Sequence, residues 1–277
     1  MLNKFELDEF IKIALKEDIA LGDITTDSLI DNNSVSNAVY ISKDEGIIAG
    51  LFVSERVFKI LDEEVQFVKK VEDGDWVKKG DIIAEIKGSA NALLKAERTS
   101  LNYLQLLSGI ATKTNLFVEQ LKGLNARVVD TRKTTPGLRA LEKYAVKIGG
   151  GSNHRYCLSD GVLIKDNHIK AAGGIKAAIE KVRENIPHTI KIEVETESLE
   201  QVKEALEAKA EIIMLDNMTL EQMKEAVILI NKKAVVEASG NVNLNTIRKI
   251  AETGVDIISV GELTHTVKAF DISMRFL

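Results

Sequence analysis

Residues 128–139 read VVDTRKTTPGLR. A β-branched run ends at Asp130, and Arg132, Lys133 and Arg139 follow within nine positions, with three threonines and Pro136, one of two prolines in the chain. A strand that empties into so much positive charge suits an anion. Arginine grips a carboxylate or phosphate through two parallel N–H bonds, and lysine acts as a movable point charge. From Arg127 to Lys170, nine Lys/Arg face only four Asp/Glu in a chain of net charge −5, and His154, Arg155, Lys165 and His168 lie in that span. A solvated helix face accounts for Lys143 and Lys147, four residues apart, but not for cations in loops and at strand ends.

Two further kinds of group recur downstream. Glu195 and Asp216 end the successive apolar runs IKIEVET and EIIMLDN. Carboxylates so placed suit ribose hydroxyls or a hydrated Mg2+, a hard ion that accepts few protein ligands. EASGN (Ser239, Gly240, Asn241) and ISVGEL (Ser259, Val260, Gly261) are small-residue turns that open helices, where backbone N–H groups and the helix dipole favour a phosphate. Lys165, ending GVLIKDNH, could instead be a Schiff-base nucleophile. No acid or cysteine lies at ligand spacing from either histidine, which argues against a histidine-based metal site. Glu193 and Glu237 read equally well as structural ion-pair partners. Taken together, the cations, two carboxylates and two turns call for a polyanionic sugar-phosphate substrate.

These residues are scattered over 130 positions, so the fold must gather them. Six short apolar runs end at Asp130, Lys165, Glu195, Asp216, Ser239 and Gly261, the last four ends 21 to 23 residues apart. Amphipathic stretches lie between them. Ser198 with Gln201, and Thr219 with Gln222, have the spacing of capping boxes and mark helix starts. Strand, loop and helix at this period imply right-handed βα units and a parallel sheet. A barrel is favoured over a doubly wound sheet, because polar residues stand at every strand's C-terminal end and those ends converge on one mouth.

The first hundred residues read as mixed α+β. FELDEFIKIALKED and LFVSERVFKILDEE have helical spacing, and NAVYISKDEGIIAG reads as two strands around an acidic glycine turn. VEDGDWVKKGDIIAEIKG resembles the hairpins of biotinyl and lipoyl carriers, but it offers no suitably flanked lysine, so a structural sheet is expected. Residues 90–121 form one long helical pattern that Gly109 could break. Arg98 on it, beside Glu97, reads from the residues alone as exposed with a local partner.

At 277 residues, 45% hydrophobic and 29% charged, the chain can hold one large domain or two smaller ones. The acidic balance argues against a nucleic-acid binder. No apolar run approaches the ~20 residues of a membrane span, and MLNKFELDEF lacks a signal peptide's apolar core. Cys157 is the single cysteine and cannot form an internal disulfide, so a cytoplasmic site is expected.

The run DTRKTTPGLRALEKYAVKIGGGSNHRYCLSDGVLIKDNHI, with IEVET, MLDN, EASGN, SVGELTH and the upstream AERTSLNYLQLLSGIAT, resembles the quinolinate phosphoribosyltransferase family over most of the chain. The resemblance implies an α/β fold, an N-terminal α/β sandwich (1–108, joined by the tail 266–277) and an open, incomplete parallel βα barrel (109–265). It implies a homodimer in which Arg98 reaches the partner's active site. Arg132, His154, Arg155 and Lys165 would hold the two carboxylates of quinolinate, with Lys133 and Lys165 facing phosphoribosyl pyrophosphate. Glu195 and Asp216 would hold ribose hydroxyls and Mg2+, and Ser239, Gly240, Asn241, Ser259, Val260 and Gly261 would seat the 5′-phosphate. Thr131 would add a hydroxyl or backbone contact, while Pro136 and Gly137 shape the loop. Lys133, Lys165, Glu195 and Asp216 would carry the catalysis. The implied products are nicotinate mononucleotide, pyrophosphate and CO2. A paralogous phosphoribosyltransferase with another acceptor, an aldolase using Lys165, and a carrier module are the alternatives.

Overall fold

The structure, a computed structural model, describes residues 4–31 and 33–277. Along the chain come α1 (Lys4–Ile19), α2 (Ile24–Leu29), β1 (Val35–Ser42), β2 (Gly46–Ile47), α3 (Leu51–Leu61), β3 (Gln66–Lys69), β4 (Trp76–Val77), β5 (Ile82–Ser89) and α4 (Ala90–Gln120). Then follow β6 (Arg127–Val129), α5 (Arg139–Ile148), β7 (Val162–Ile164), α6 (Asp166–Ala172), α7 (Ile175–Asn185), β8 (Ile192–Thr196) and α8 (Leu199–Glu207). The chain ends with β9 (Ile212–Asp216), α9 (Leu220–Ile230), β10 (Val235–Ser239), α10 (Ile247–Ala251), β11 (Ile257–Ser259), α11 (Glu262–His265) and β12 (Ile272–Phe276). Two compact units result: Met1–Asn115 with Thr135–Gly150 and Thr266–Leu277, and Leu116–Thr134 with Gly151–His265.

The first unit is built on an antiparallel sheet ordered β12-β1-β5-β3, with β2 and β4 paired separately. The two strands of NAVYISKDEGIIAG therefore enter different sheets rather than forming a hairpin. The second half of β1 is buried on both faces from Ala38 to Tyr40, and Tyr40 is fully enclosed. Its hydroxyl donates to Ser100 Oγ at 2.8 Å, and Ser100 meets Ser54 Oγ at 2.6 Å, so β1, α3 and α4 share one satisfied buried polar chain. The Asp73 carboxylate accepts the N–H groups of Gly50 and Leu51 at 2.9 and 3.0 Å, satisfying donors at the start of α3.

α4 runs unbroken through Gly109 for 31 residues. Leu93, Leu101, Leu104 and Leu107 are buried along it. Gly109 is not a break but a close approach. A Cβ there would overlap the Lys268 carbonyl oxygen and stand 3.1 Å from Val267 Cγ1, so the residue needs the absence of a side chain, not a special backbone angle. The solvated-face reading of α5 also fails at Lys143, which is fully buried although Lys147 is exposed.

The second unit carries six strands in the order β6-β11-β10-β9-β8-β7, every neighbouring pair parallel. Each strand from β8 to β11 lies beside its predecessor, with none of the order reversal of a doubly wound sheet. The first strand, β6, pairs with the last, β11, which curls the sheet round on itself; no pairing joins β6 to β7 among the described residues. This is the expected open barrel. Parallel neighbours require long crossovers, and α7, α8 and α9 supply them, burying Ile179, Val202, Ala205, Met223, Ala226 and Ile230. Thr219 and Gln222 make the full capping box, with N–H to side-chain bonds of 2.9 and 3.2 Å. At α8 the box is incomplete: Ser198 accepts from Gln201 N–H, but the Gln201 side chain returns to Glu197.

Candidate active site

Side chains two apart on a strand share a face, and the parallel registers align these faces around the barrel axis. Leu163, Glu193, Met214 and Glu237 each share a strand face with the residue two positions on, and those residues, Lys165, Glu195, Asp216 and Ser239, form the rim. Register sets Leu163 beside Glu193, and Met214 beside both Glu195 and Glu237. These strand ends border a cavity of about 770 Å3, within the range of ligand sites. Of the residues expected from the sequence, Thr131, Arg132, Lys133, His154, Arg155, Lys165, Glu195, Asp216, Ser239, Gly240, Asn241, Ser259 and Gly261 line it. The strand ends do converge. Val260 does not line the cavity: it is buried, and its N–H donates to Val129 O at 2.9 Å, so that donor is already used. Arg98 is exposed on α4 and is not among the lining residues.

The cationic wall is organised by Asp130. This carboxylate, fully buried at the end of β6, accepts from Asn153 Nδ2 at 2.6 Å and from His154 N–H at 2.9 Å. It thereby fixes the backbone leading to His154 and Arg155. Thr131 Oγ1 accepts the Lys133 N–H, and Thr264 Oγ1 donates to the Lys133 carbonyl, which pins the backbone beneath that lysine. Arg155 Nη1 donates to Gly161 O at 2.7 Å. Burial, and then the nearby charge of Arg132, push the Arg155 pKa below its ordinary value. Arg132 Nη1 is itself buried with no hydrogen-bond partner. Two guanidiniums that disfavour one another, one with an orphaned donor, make a site that an anion would relieve.

Beneath them the fold brings Glu193 and Glu237 from β8 and β10 to His154, with Nε2 3.1 Å from Glu193 Oε2 and 3.7 Å from Glu237 Oε1. Sequence spacing had argued against acids near this histidine. They arrive from other strands, and the three side chains lie close enough to suggest a metal set. The ring's hydrogen bonds oppose that reading. Nδ1 accepts the Arg155 N–H at 2.8 Å, which leaves the proton on Nε2, directed at Glu193. A protonated Nε2 has no lone pair for a cation. Burial, and then the charge of Glu193, push Glu237 up to about 7.

Lys165 Nζ lies 2.8 Å from Glu195 Oε2. A Schiff-base lysine sits in apolar surroundings; Lys165 is instead half-exposed and ion-paired. His168 does not line the cavity; its Nδ1 accepts the Lys165 N–H at 3.0 Å and holds the start of α6. Glu195 and Asp216, hard oxygen donors on neighbouring strands, fit Mg2+, and the ion pair with Lys165 engages Glu195 through Oε2. The turn after β10 is compact because Gly240 and Asn241 both adopt positive φ, 95° and 51°. At Gly261 a side chain would crowd Lys133 Cδ and His265 at 3.1–3.2 Å.

The cavity also includes Leu163, Met214, Asn217, Val242, Glu262 and His265, which sequence reading did not place there. Strand alternation would have found Leu163 and Met214, each two residues before a rim residue. His265 stands four residues after Gly261, one turn along α11, a signal too common to use alone.

Comparison with known proteins bears on this geometry. Residues 23–108 match the family "Quinolinate phosphoribosyl transferase, N-terminal domain", and residues 110–275 match its C-terminal domain. A "probable nicotinate-nucleotide pyrophosphorylase (carboxylating)" of Bacillus subtilis strain 168 is 45% identical over 273 residues, covering 99% of this chain and 94% of its own. The similarly named Synechocystis protein is 43% identical, with 98% and 92% coverage. The structure of NadC from Streptococcus pyogenes superposes with a TM-score of 0.96 at 44% identity, covering 100% of this chain and 99% of the other.

Proposed function

The chain belongs to the quinolinate phosphoribosyltransferase family, and from that membership we propose that it transfers the phosphoribosyl group of phosphoribosyl pyrophosphate to quinolinate with loss of CO2, giving nicotinate mononucleotide and pyrophosphate, a step of NAD biosynthesis. The observation that carries the reading to this cavity is the buried, unpartnered Arg132 Nη1 beside Arg155, in a cavity also lined by Glu195, Asp216 and the tight turn at Gly240.

In this reading Arg132, Arg155 and Lys165 grip the two carboxylates of quinolinate. His154 belongs to the same clamp; its contacts with Arg155 N–H and Glu193 make it the member that orients the others. Glu195 and Asp216 hold the ribose hydroxyls, and Ser239, Gly240, Asn241, Ser259 and Gly261 seat the 5′-phosphate. The pyridine nitrogen attacks ribose C1 while the C1–O bond to pyrophosphate breaks. That nitrogen carries no proton, so this step needs no general base. Charge develops as an oxocarbenium-like sugar, which Glu195 and Asp216 stabilise, and on the leaving pyrophosphate, which Lys133 stabilises. Mg2+, held by Glu195 and Asp216, would supply further neutralisation of pyrophosphate charge. The ring's 2-carboxylate then leaves as CO2; its bonding pair stays on C2 beside the cationic nitrogen, and C2 takes up a proton. Positioning does most of the work.

The proposal extends to a homodimer in which Arg98 of one subunit binds substrate in the partner's cavity. Its exposure on α4 supports this, as do the exposed Leu21, Ile24, Leu29 and Val35 within one short stretch. A cytoplasmic location is part of the same reading. No helix among the described residues is long and apolar enough to cross a membrane.

The direct test supplies quinolinate, phosphoribosyl pyrophosphate and Mg2+ and measures pyrophosphate and CO2 together. Equal amounts of both are expected. Pyrophosphate released from nicotinate, with no CO2 and no turnover of quinolinate, would instead indicate a relative with another acceptor.

A further inference from the structure

Asn217 follows Asp216 at the end of β9 with φ of +54°, a left-handed conformation that asparagine tolerates better than most residues. Three bonds tie it to its surroundings. Its side-chain Nδ2 donates to Asp216 Oδ2 at 2.7 Å. Its Oδ1 accepts from Asn241 Nδ2 at 3.1 Å, and its backbone N–H donates to Ser239 O at 2.9 Å. The amide can adopt only this orientation: the reverse would set oxygen against the Asp216 carboxylate and nitrogen against the Asn241 amide. Gly240 packs so closely over Asn217 that a Cβ would overlap its side-chain oxygen. The residue lines the cavity.

We propose that Asn217 is a positioning residue: it locks the Asp216 carboxylate to the Ser239–Gly240–Asn241 turn, so that the pentose hydroxyls and the 5′-phosphate are gripped at a fixed separation. The inference rests on the phosphoribosyl-transfer reading of this cavity. The two contact points come from different strand ends, which are also joined by backbone pairing of Asp216 with Ser239. A single amide sets their register. It also engages Asp216 Oδ2, so the carboxylate is held in a defined orientation. The consequence falls on the sugar-phosphate donor and not on the aromatic acceptor, whose cations lie just after β6 and β7 and in the 153–155 segment.

Two variants separate this role from space filling, because both Gly and Asp accept the left-handed backbone. Asn217→Gly removes the amide. Asn217→Asp keeps its shape but sets a second carboxylate against Asp216. Calorimetric titration of each with phosphoribosyl pyrophosphate, with and without Mg2+, gives the dissociation constant without turnover, and steady-state assays give both KM values. We expect Asn217→Gly to weaken donor binding about 10-fold, as for loss of a charge-assisted bond, and Asn217→Asp to weaken it more, with the KM for quinolinate within about twofold of wild type. Equal donor affinity in Asn217→Asp and wild type would mean that shape alone matters, and the inference fails. It fails too if both KM values rise together, or if neither variant retains a cooperative melt. If wild type itself makes no pyrophosphate or CO2 from quinolinate, the reading of the cavity fails first; variants that match an active wild type overturn only the role of Asn217.

Discussion

Arg132 illustrates how a functional residue can burden the fold. A buried guanidinium nitrogen without a partner is unfavourable by roughly 1–3 kcal/mol, and substrate would relieve it. Arg132→Ala should therefore lower kcat/KM for quinolinate by at least about 100-fold while keeping or raising the melting temperature; a variant with near-normal turnover would remove Arg132 from the carboxylate clamp. Glu237 makes a second prediction. Burial and Glu193 raise its folded-state pKa from 4.5 to about 7. The folded state then holds this proton more tightly than the unfolded chain. Stability is unaffected by this group below about pH 4.5, declines as pH rises from there through 7, and is lowered by a constant amount beyond, on the order of 3 kcal/mol. Glu237→Gln should flatten that decline, so that its melting temperature gains on wild type between pH 5 and pH 8. An unchanged difference across that range would show Glu237 ionised throughout.

At the level of elements, local patterning and tertiary approach make separate contributions. The capping box at α9 and the apolar face of α4 are local, and each forms as its spacing dictates. Gly109 and Lys143 are not local. Nothing near Gly109 in sequence announces that the Lys268 carbonyl will lie against it, and nothing beside Lys143 says that it turns inward while Lys147 does not. Gly109→Ala offers the check. Helix propensity alone would favour alanine by about 1 kcal/mol, whereas overlap with Lys268 O should produce a net loss of about 1–3 kcal/mol. Denaturant unfolding measures the balance, and a stabilised variant would mean that the C-terminal segment does not pack there.

For the whole molecule the open question is whether one chain suffices for activity. If Arg98 completes the partner's cavity, Arg98→Ala and Lys133→Ala should each be inactive alone, and mixing them should rebuild one intact site per hybrid dimer. Statistical exchange would then restore about a quarter of wild-type activity. A mixture as inactive as its components, at a concentration where light scattering shows a dimer, would place Arg98 outside the site.

Much of this protein can be read from its sequence because two kinds of signal are short-range. Strand–loop–helix periodicity from Arg127 onward follows from residues a few positions apart, and a parallel barrel delivers its strand ends to one mouth whatever the details, so Lys165, Glu195, Asp216 and Ser239 could be assigned to a common rim. The close contacts were decided only by the folded chain. His154 meets Glu193 and Glu237, Asn217 joins Asp216 to Asn241, and Val260 spends its N–H on Val129, because each depends on the angles and separations between strands 20 or more residues apart. Periodicity determines which face a side chain takes; it carries no information about the sub-ångström placement that decides which nitrogen holds a proton or which donor is left unpaired.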